Sequence, residues 1–347
     1  MNNEQLDFNA GIVGLGTYLP EKRMTEQDFI NAGVPKELID KWGVYEHRVS
    51  EPDEMPSDMS IKAAKDLISN TGIDPYEIDL IIDCALVPDY ILPGNSHRIQ
   101  YELGAKNAVA FDIVPSNGGV IPQLVIAKSL VLSGMYEKIL ITCSSKISSV
   151  VDKTDWSSLV IGGDGAAAAL ISKVSKNKGF LSSNMITRGE FYLNSGIKLK
   201  MHSKSSKSKG TIYEDSNKRL LFFLDDLNVL AENSKNSNSD EFYLNSVPMS
   251  SRLALEKVNL SLNDVNFWIT HQNARTLSEQ WIQSLGIKDK GNYYYSYYKY
   301  GNLFNVNLLV NLKEAIEKSY IKDEDVVVLS GVLVGLSAGS IVMKWGK

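Results

Sequence analysis

The chain repeats itself. The segment Ile73-Asp74-Pro75-Tyr76-Glu77-Ile78-Asp79-Leu80-Ile81-Ile82 pairs with Leu260-Ser261-Leu262-Asn263-Asp264-Val265-Asn266-Phe267-Trp268-Ile269 at an offset of 187 residues. At the same offset Lys138-Ile139-Leu140-Ile141 pairs with Asp325-Val326-Val327-Val328. In each pair a helix, a short polar turn and an apolar run follow in the same order. Two matches at one offset imply two similar halves. They meet near residues 173–180, which gives an N-terminal half over 1–175 and a C-terminal half over 176–347.

The apolar runs are short, continuous and rich in Val, Ile and Leu, the signature of strands covered by helices on both faces. Strands are expected over 10–17, 78–86, 107–114, 138–143, 165–172, 180–187, 265–270, 325–334 and 338–345. Helices are expected over 58–69, 118–133, 244–257, 274–285 and 304–319. The class is therefore α/β. Residues 201–240 break the pattern with polar, low-complexity sequence around an amphipathic piece, Arg219 to Leu230. The plain reading is a surface insertion; the functional one uses Lys204, Lys207 and Lys209 to attract a carrier protein or cofactor phosphates.

Hydrophobic residues make up 44% of the 347 and charged residues 22%, with a net charge of −5. That balance suits a globular protein and argues against generic nucleic-acid binding, which needs a basic surface. Cys84 and Cys143 lie inside apolar runs and read as reduced core cysteines. No Cys/His cluster suggests a metal. No apolar run approaches the ~20 residues that span a bilayer, and no basic leader precedes one. A cytoplasmic location is the simplest expectation.

Three residues stand out as a candidate site. Asn117, in Phe111-Asp112-Ile113-Val114-Pro115-Ser116-Asn117-Gly118-Gly119, sits where an apolar run gives way to a helical one, the place for a nucleophile elbow. His271 follows the run 265–270, and Asn302 follows Tyr300-Gly301. The repeat sets Asn117 and Asn302 each at the opening of a helix after a strand, one per half. Helix N-termini facing one crevice suit a developing oxyanion. Tyr293 to Tyr300 holds six tyrosines and reads as a strand before Asn302.

These residues carry a resemblance. Gly11 to Pro20, Ile78-Asp-Leu-Ile-Ile, Val87-Pro-Asp, Gly104 to Asp112, Gly163-Asp-Gly-Ala166, His271-Gln272 and Tyr300-Gly-Asn302 together resemble the thiolase superfamily, and within it beta-ketoacyl-ACP synthase III. The resemblance implies a duplicated five-layered α-β-α-β-α fold and a dimeric assembly. It also implies decarboxylating Claisen condensation of an acyl thioester with a malonyl thioester. The thioesters would be carried by coenzyme A or by the phosphopantetheine of an acyl-carrier protein.

The chain departs from that family at two places. Counting from Phe111, the position of the family's nucleophilic cysteine is Asn117, while His271 and Asn302 match the other two catalytic positions. The position whose backbone N–H completes the oxyanion hole is Val334, without the freedom of glycine. A carboxamide is a very poor nucleophile, so acyl transfer through residue 117 is not expected. Stabilising the enolate left by malonyl decarboxylation needs donors such as His271 and Asn302, not a thiol. Ser116 is the alternative nucleophile if the elbow is shifted by one residue; its plainer reading is a helix N-cap. For coenzyme A, the resemblance points to Lys41, Trp42 and Arg275. Two functions follow: an acyltransferase without a covalent cysteine intermediate, or a catalytically silent partner of an active synthase.

Overall fold

The repeat is drawn out as two sheets. The computed structural model describes residues 6–114, 119–151, 155–192, 195–199, 220–224, 238–287 and 290–347. Asn117, Ser116 and most of the polar insertion, including its three lysines, lie outside the described residues. In chain order the strands are β1 (Phe8–Tyr18), β2 (Arg23–Thr25), β3 (Glu46–Arg48), β4 (Leu80–Ala85), β5 (Val109–Asp112), β6 (Ile139–Ser145) and β7 (Gly165–Ser175). They continue with β8 (Gly179–Thr187), β9 (Ser195–Leu199), β10 (Leu220–Leu224), β11 (Phe267–Thr270), β12 (Val326–Leu333) and β13 (Ser337–Lys344). The α-helices are α1 (Glu26–Asn31), α2 (Lys36–Trp42), α3 (Pro56–Thr71), α4 (Asn95–Leu103) and α5 (Val120–Leu132). Then come α6 (Trp156–Ile161), α7 (Asn238–Glu256), α8 (Arg275–Ser284), α9 (Tyr297–Tyr300) and α10 (Asn307–Glu317).

The first sheet runs β1-β7-β6-β4-β5 and the second β11-β12-β13-β8. In the first, β4 is parallel to β6, and β6-β7-β1 alternate antiparallel. In the second, β11 is parallel to β12, and β12-β13-β8 alternate in the same way. Leu80 and Phe267 open β4 and β11, and Ile139 and Val326 open β6 and β12; each pair is 187 residues apart. The offset read from the sequence thus relates equivalent strands of the two sheets.

Side-chain alternation explains the layers. Leu80, Ile82 and Cys84 of β4 face a central core with α5, α10 and the inner faces of both sheets. Ile81, between them, faces α3 and α4 on the outside of the first sheet. Trp268, Val328 and Val342 face α7, with Trp281 of α8 beside them, on the outside of the second. Five layers result: helices, sheet, helices, sheet, helices. The strands β4 and β6 are buried along their whole length, as their continuous apolar runs predict.

All nine expected strands are present, with ends within three residues of expectation. One expectation fails. The tyrosine-rich stretch is not a strand: it makes a single parallel bridge, Trp268 to Tyr293, and then turns into α9. The cause is a side chain. Gln272 Oε1 accepts the backbone N–H groups of Ser296 and Tyr297 at 2.9 and 3.0 Å, taking donors that a ladder to β11 would need. Asn302 accordingly follows a short helix and Gly301, and precedes a 3-10 turn, Phe304–Val306, that runs into α10.

Candidate active site

His271 is the residue directly after β11. Its N–H donates to the Ser330 carbonyl at 2.8 Å, which extends the β11–β12 pairing by one residue and fixes the backbone under the imidazole. A Cβ on Gly331 would stand 2.9 Å from the His271 Cβ, so glycine there makes room for the ring. The side chain is fully buried.

Asn302 arrives from the other side. Its N–H donates to Ile161 O at 2.7 Å, and its carbonyl accepts from Gly163 N–H at 3.0 Å. Before it, Gly301 has φ 61 and ψ −154, and a Cβ there would lie 2.4 Å from Ile161 O. Only glycine meets both demands. The Asn302 main chain is thus held by the segment that ends α6, in the first half of the chain.

The two side chains meet. His271 Nε2 lies 3.0 Å from Asn302 Oδ1. The same Oδ1 accepts the Phe304 backbone N–H at 2.8 Å. A backbone N–H can only donate, so it fixes the amide with its oxygen toward the ring. Nε2 must then carry the proton. The remaining nitrogen, Nδ1, is buried with no hydrogen-bond partner among the described residues. Burial pushes the imidazole down to about 4, and the bond to Asn302 only partly opposes it. His271 is therefore a neutral donor near pH 7. The expectation was of two donors side by side. They stand in series instead: His271 donates to Asn302, and Asn302 Nδ2 gives its N–H groups to no described residue.

Gln272 acts beside the pair. It is fully buried. Besides holding Ser296 and Tyr297, it donates from Nε2 to Tyr294 O at 2.6 Å and from its backbone to Asn307 Oδ1 at 3.1 Å. Its side chain ties the His271 loop to the stretch that leads into Asn302. Asn305 was missed by the sequence reading. Its Nδ2 donates to the Cys84 carbonyl, and its Oδ1 is buried without a partner among the described residues. The signal was present as a polar residue inside an apolar helical pattern.

Neither thiol is placed to act as a nucleophile. Cys84 and Cys143 are free and fully buried, and burial drives both thiols up, away from ionisation. Asn117 and Ser116 lie outside the described residues. Val334 falls in the three-residue loop between β12 and β13, half-buried. The positive φ of that loop, 102°, belongs to Gly335 one residue later, so Val334 needs no glycine-like backbone.

The residues suggested for coenzyme A are partly brought together. Arg275 opens α8, and its Cδ would be 2.9 Å from a Cβ on Gly43, the residue that ends α2. Trp42 is half-buried against the Phe29, Ile39 and Leu159 cluster; Lys41 is exposed beside it. Arg275 also pairs with Glu279 at 2.9 Å. Among the described residues no group of three or more His, Cys, Asp or Glu is placed to hold a metal ion, and no helix is long and apolar enough to cross a membrane.

The family model for 3-oxoacyl-[acyl-carrier-protein (ACP)] synthase III matches residues 111–189, and the model for its C-terminal part matches residues 255–345. The beta-ketoacyl-[acyl-carrier-protein] synthase III of Bacillus pumilus is 31% identical over 345 residues, covering 98% of this chain and 100% of the relative. That of Fusobacterium nucleatum is 31% identical over 343 residues, covering 97% and 99%. The crystal structure of the Thermus thermophilus synthase III superposes with a TM-score of 0.84 at 26% identity, over 97% of this chain and 99% of that one. Full-length likeness at this level, on a duplicated thiolase-type α/β frame, places the chain in the beta-ketoacyl-[acyl-carrier-protein] synthase III family.

Proposed function

We propose that this protein is a condensing acyltransferase acting on coenzyme A or acyl-carrier-protein thioesters in fatty-acid or polyketide-type biosynthesis. We further propose that it works without a covalent cysteine intermediate. The observation that carries this reading is the buried 3.0 Å contact between His271 Nε2–H and Asn302 Oδ1 in a chain with asparagine at position 117. A malonyl thioester carbonyl oxygen placed against Asn302 Nδ2–H meets an amide already polarised by the His271 bond. The carboxylate then leaves as carbon dioxide, and the C–C bonding pair moves into the enolate, whose oxygen the amide stabilises. The enolate carbon attacks a non-covalently held acyl thioester and expels its thiolate. Without an acyl partner it takes a proton from water and leaves as the acetyl thioester. Val334 N–H, Lys41, Trp42 and Arg275 are proposed to serve the oxyanion and coenzyme A, supported by the approach of Arg275 to Gly43 beside Trp42.

Incubation with malonyl-CoA and measurement of released carbon dioxide tests the core of this reading. Release above that of His271→Ala supports it; equal release rejects it. Intact-protein mass after acyl-CoA treatment tests the covalent part, since an acyl adduct on Ser116 would restore a nucleophile.

A second reading is favoured by one feature. The edge strand β5 leaves Val109 52% exposed and Phe111 37% exposed, with Val114 at 96% just beyond. An apolar edge with no strand beside it among the described residues is suited to a second chain. We propose a dimer through this edge, either with itself or with a cysteine-bearing synthase that this chain would support as a silent partner. Co-purification and light scattering separate the two. The division into halves at 175/176 is proposed on the same grounds as the repeat, the first sheet drawing its strands only from Phe8–Ser175.

A further inference from the structure

The helix α10 carries a polar stripe with no place in the chemistry above. Asn307, Asn311 and Glu314 are spaced i, i+4 and i+7, so they share one face. Five of the other positions, Leu308, Leu309, Val310, Leu312 and Ala315, are buried in the central core. A helix that needed only to pack would bury apolar groups here too, because buried polar groups cost stability relative to apolar ones.

Each residue of the stripe accepts from the segment that leads to the site. Asn307 Oδ1 takes the Gln272 backbone N–H at 3.1 Å. Asn311 Oδ1 takes the Ser296 hydroxyl at 2.5 Å. Glu314 takes three donors: the Tyr300 hydroxyl at 2.5 Å on Oε1, and Lys299 Nζ at 2.8 Å together with the Tyr294 hydroxyl on Oε2. Lys299 also lies over the Tyr300 ring, 4.4 Å from its centroid. Burial would raise the Glu314 carboxyl, but the bonds from Lys299, Tyr294 and Tyr300 outweigh it and hold the group below its ordinary value. Both phenols are pushed up by burial and by Glu314, so they stay protonated as donors. The last of these anchors, Tyr300, is separated from Asn302 only by Gly301.

We infer that Glu314 is a positioning residue: through Tyr300 and Lys299 it sets the approach of Asn302 to His271. Its expected effect on rate rests on the reading that Asn302 holds the thioester carbonyl. It goes beyond that reading in assigning the geometry of the pair to a carboxylate on a different helix.

The test compares Glu314→Gln with Tyr300→Phe, which removes a donor and leaves the carboxylate, so that failure of one variant to fold leaves the other. Two readouts are taken on the full chain. In malonyl-CoA decarboxylation, kcat should fall about tenfold with KM unchanged within about twofold, as expected of a small misplacement. In an Asn302→Ala background the same substitution should cause no further fall. Nitrogen-15 NMR should show the Asn302 side-chain amide and the His271 Nε2–H displaced in both variants. A lower melting temperature with these resonances and kcat unmoved would overturn the inference, as would an equal loss of rate in the Asn302→Ala background. Should the wild-type protein release no carbon dioxide while the resonances still shift, the proposed function falls and the positioning role stands.

Discussion

The two halves share a frame and differ in what lies beside the inner parallel strand. In the first half β4 is flanked by β5, an extended edge whose outer side pairs with no strand among the described residues. In the second half the equivalent place beside β11 holds the tyrosine-rich stretch, which touches it at one bridge and is then captured by Gln272 and Glu314. The same slot is a partly exposed apolar edge in one copy and a mount for Asn302 in the other. The residue that follows the strand core differs as well: Cys84 in the first half and His271 in the second, 187 positions apart. Duplication supplied two equivalent positions, and side-chain chemistry gave only one of them a donor.

The largest expected effect sets two buried titratable groups against each other. Asp83 is fully buried in the first half with Oδ2 unpartnered among the described residues. Burial, against the Thr142 hydroxyl bond and with help from Asp112, pushes it up to about 7. Its ordinary value is near 4, so between about pH 4 and 7 the folded state binds the extra proton. Stability therefore falls as pH rises through that window, by about 4 kcal/mol at most. His271 works in the opposite sense. Its ring is held down to about 4 by burial, against about 6.5 in the unfolded chain. Stability contributed by His271 is present above about pH 6.5 and is lost as pH falls toward 4, by about 3 kcal/mol. Urea unfolding from pH 4 to 8 should show Asp83→Asn removing the loss toward neutral pH and His271→Gln removing the loss toward acid. Parallel profiles for the two variants would break the contrast.

Next in size is the catalytic asymmetry. His271→Ala should lower carbon dioxide release a hundredfold or more, about 3 kcal/mol of lost stabilisation. Cys84→Ala, at the equivalent place in the other half, should leave the rate within about twofold. The backbone asymmetry comes third. Gly301→Ala meets Ile161 O at 2.4 Å in a backbone conformation reserved for glycine, and should cost about 2 kcal/mol or more in chemical denaturation. Its counterpart 187 residues earlier, Val114, is 96% exposed, and Val114→Gly should change stability by less than about 0.5 kcal/mol. Smallest in folding energy is the edge. Phe111→Lys should shift monomer stability within about 0.5 kcal/mol yet move the protein from dimer to monomer by light scattering. A monomeric wild type would remove the assembly role from β5.

Much of the frame was legible because strands buried on both faces leave continuous apolar runs, and because the 187-residue offset survives in β4/β11 and β6/β12. The helix α4 was not legible: Asn-Ser-His-Arg-Ile-Gln-Tyr-Glu-Leu shows only Ile99 and Leu103 as core positions. The tyrosine stretch was misread for a physical reason. Aromatic residues favour strands, but the deciding contact came from Gln272, a side chain 24 residues away from Ser296. The convergence of His271 and Asn302 was expected from their place at the ends of repeated elements. Their order of donation was not, since it depends on the Phe304 N–H that orients the amide. The polar stripe on α10, at 307, 311 and 314, was not read from the sequence, because its partners lie on other elements.

The stitching of Asn302 between Ile161 and Gly163 has an evolutionary consequence. A loop with its side chain committed to one copy and its peptide groups committed to the other cannot be inherited separately from either. Changes around Ile161-Gly162-Gly163, though far from His271 along the chain, would be screened by the same selection as changes to the imidazole itself. The two halves are in this sense inseparable: parting them would first require unpicking that seam.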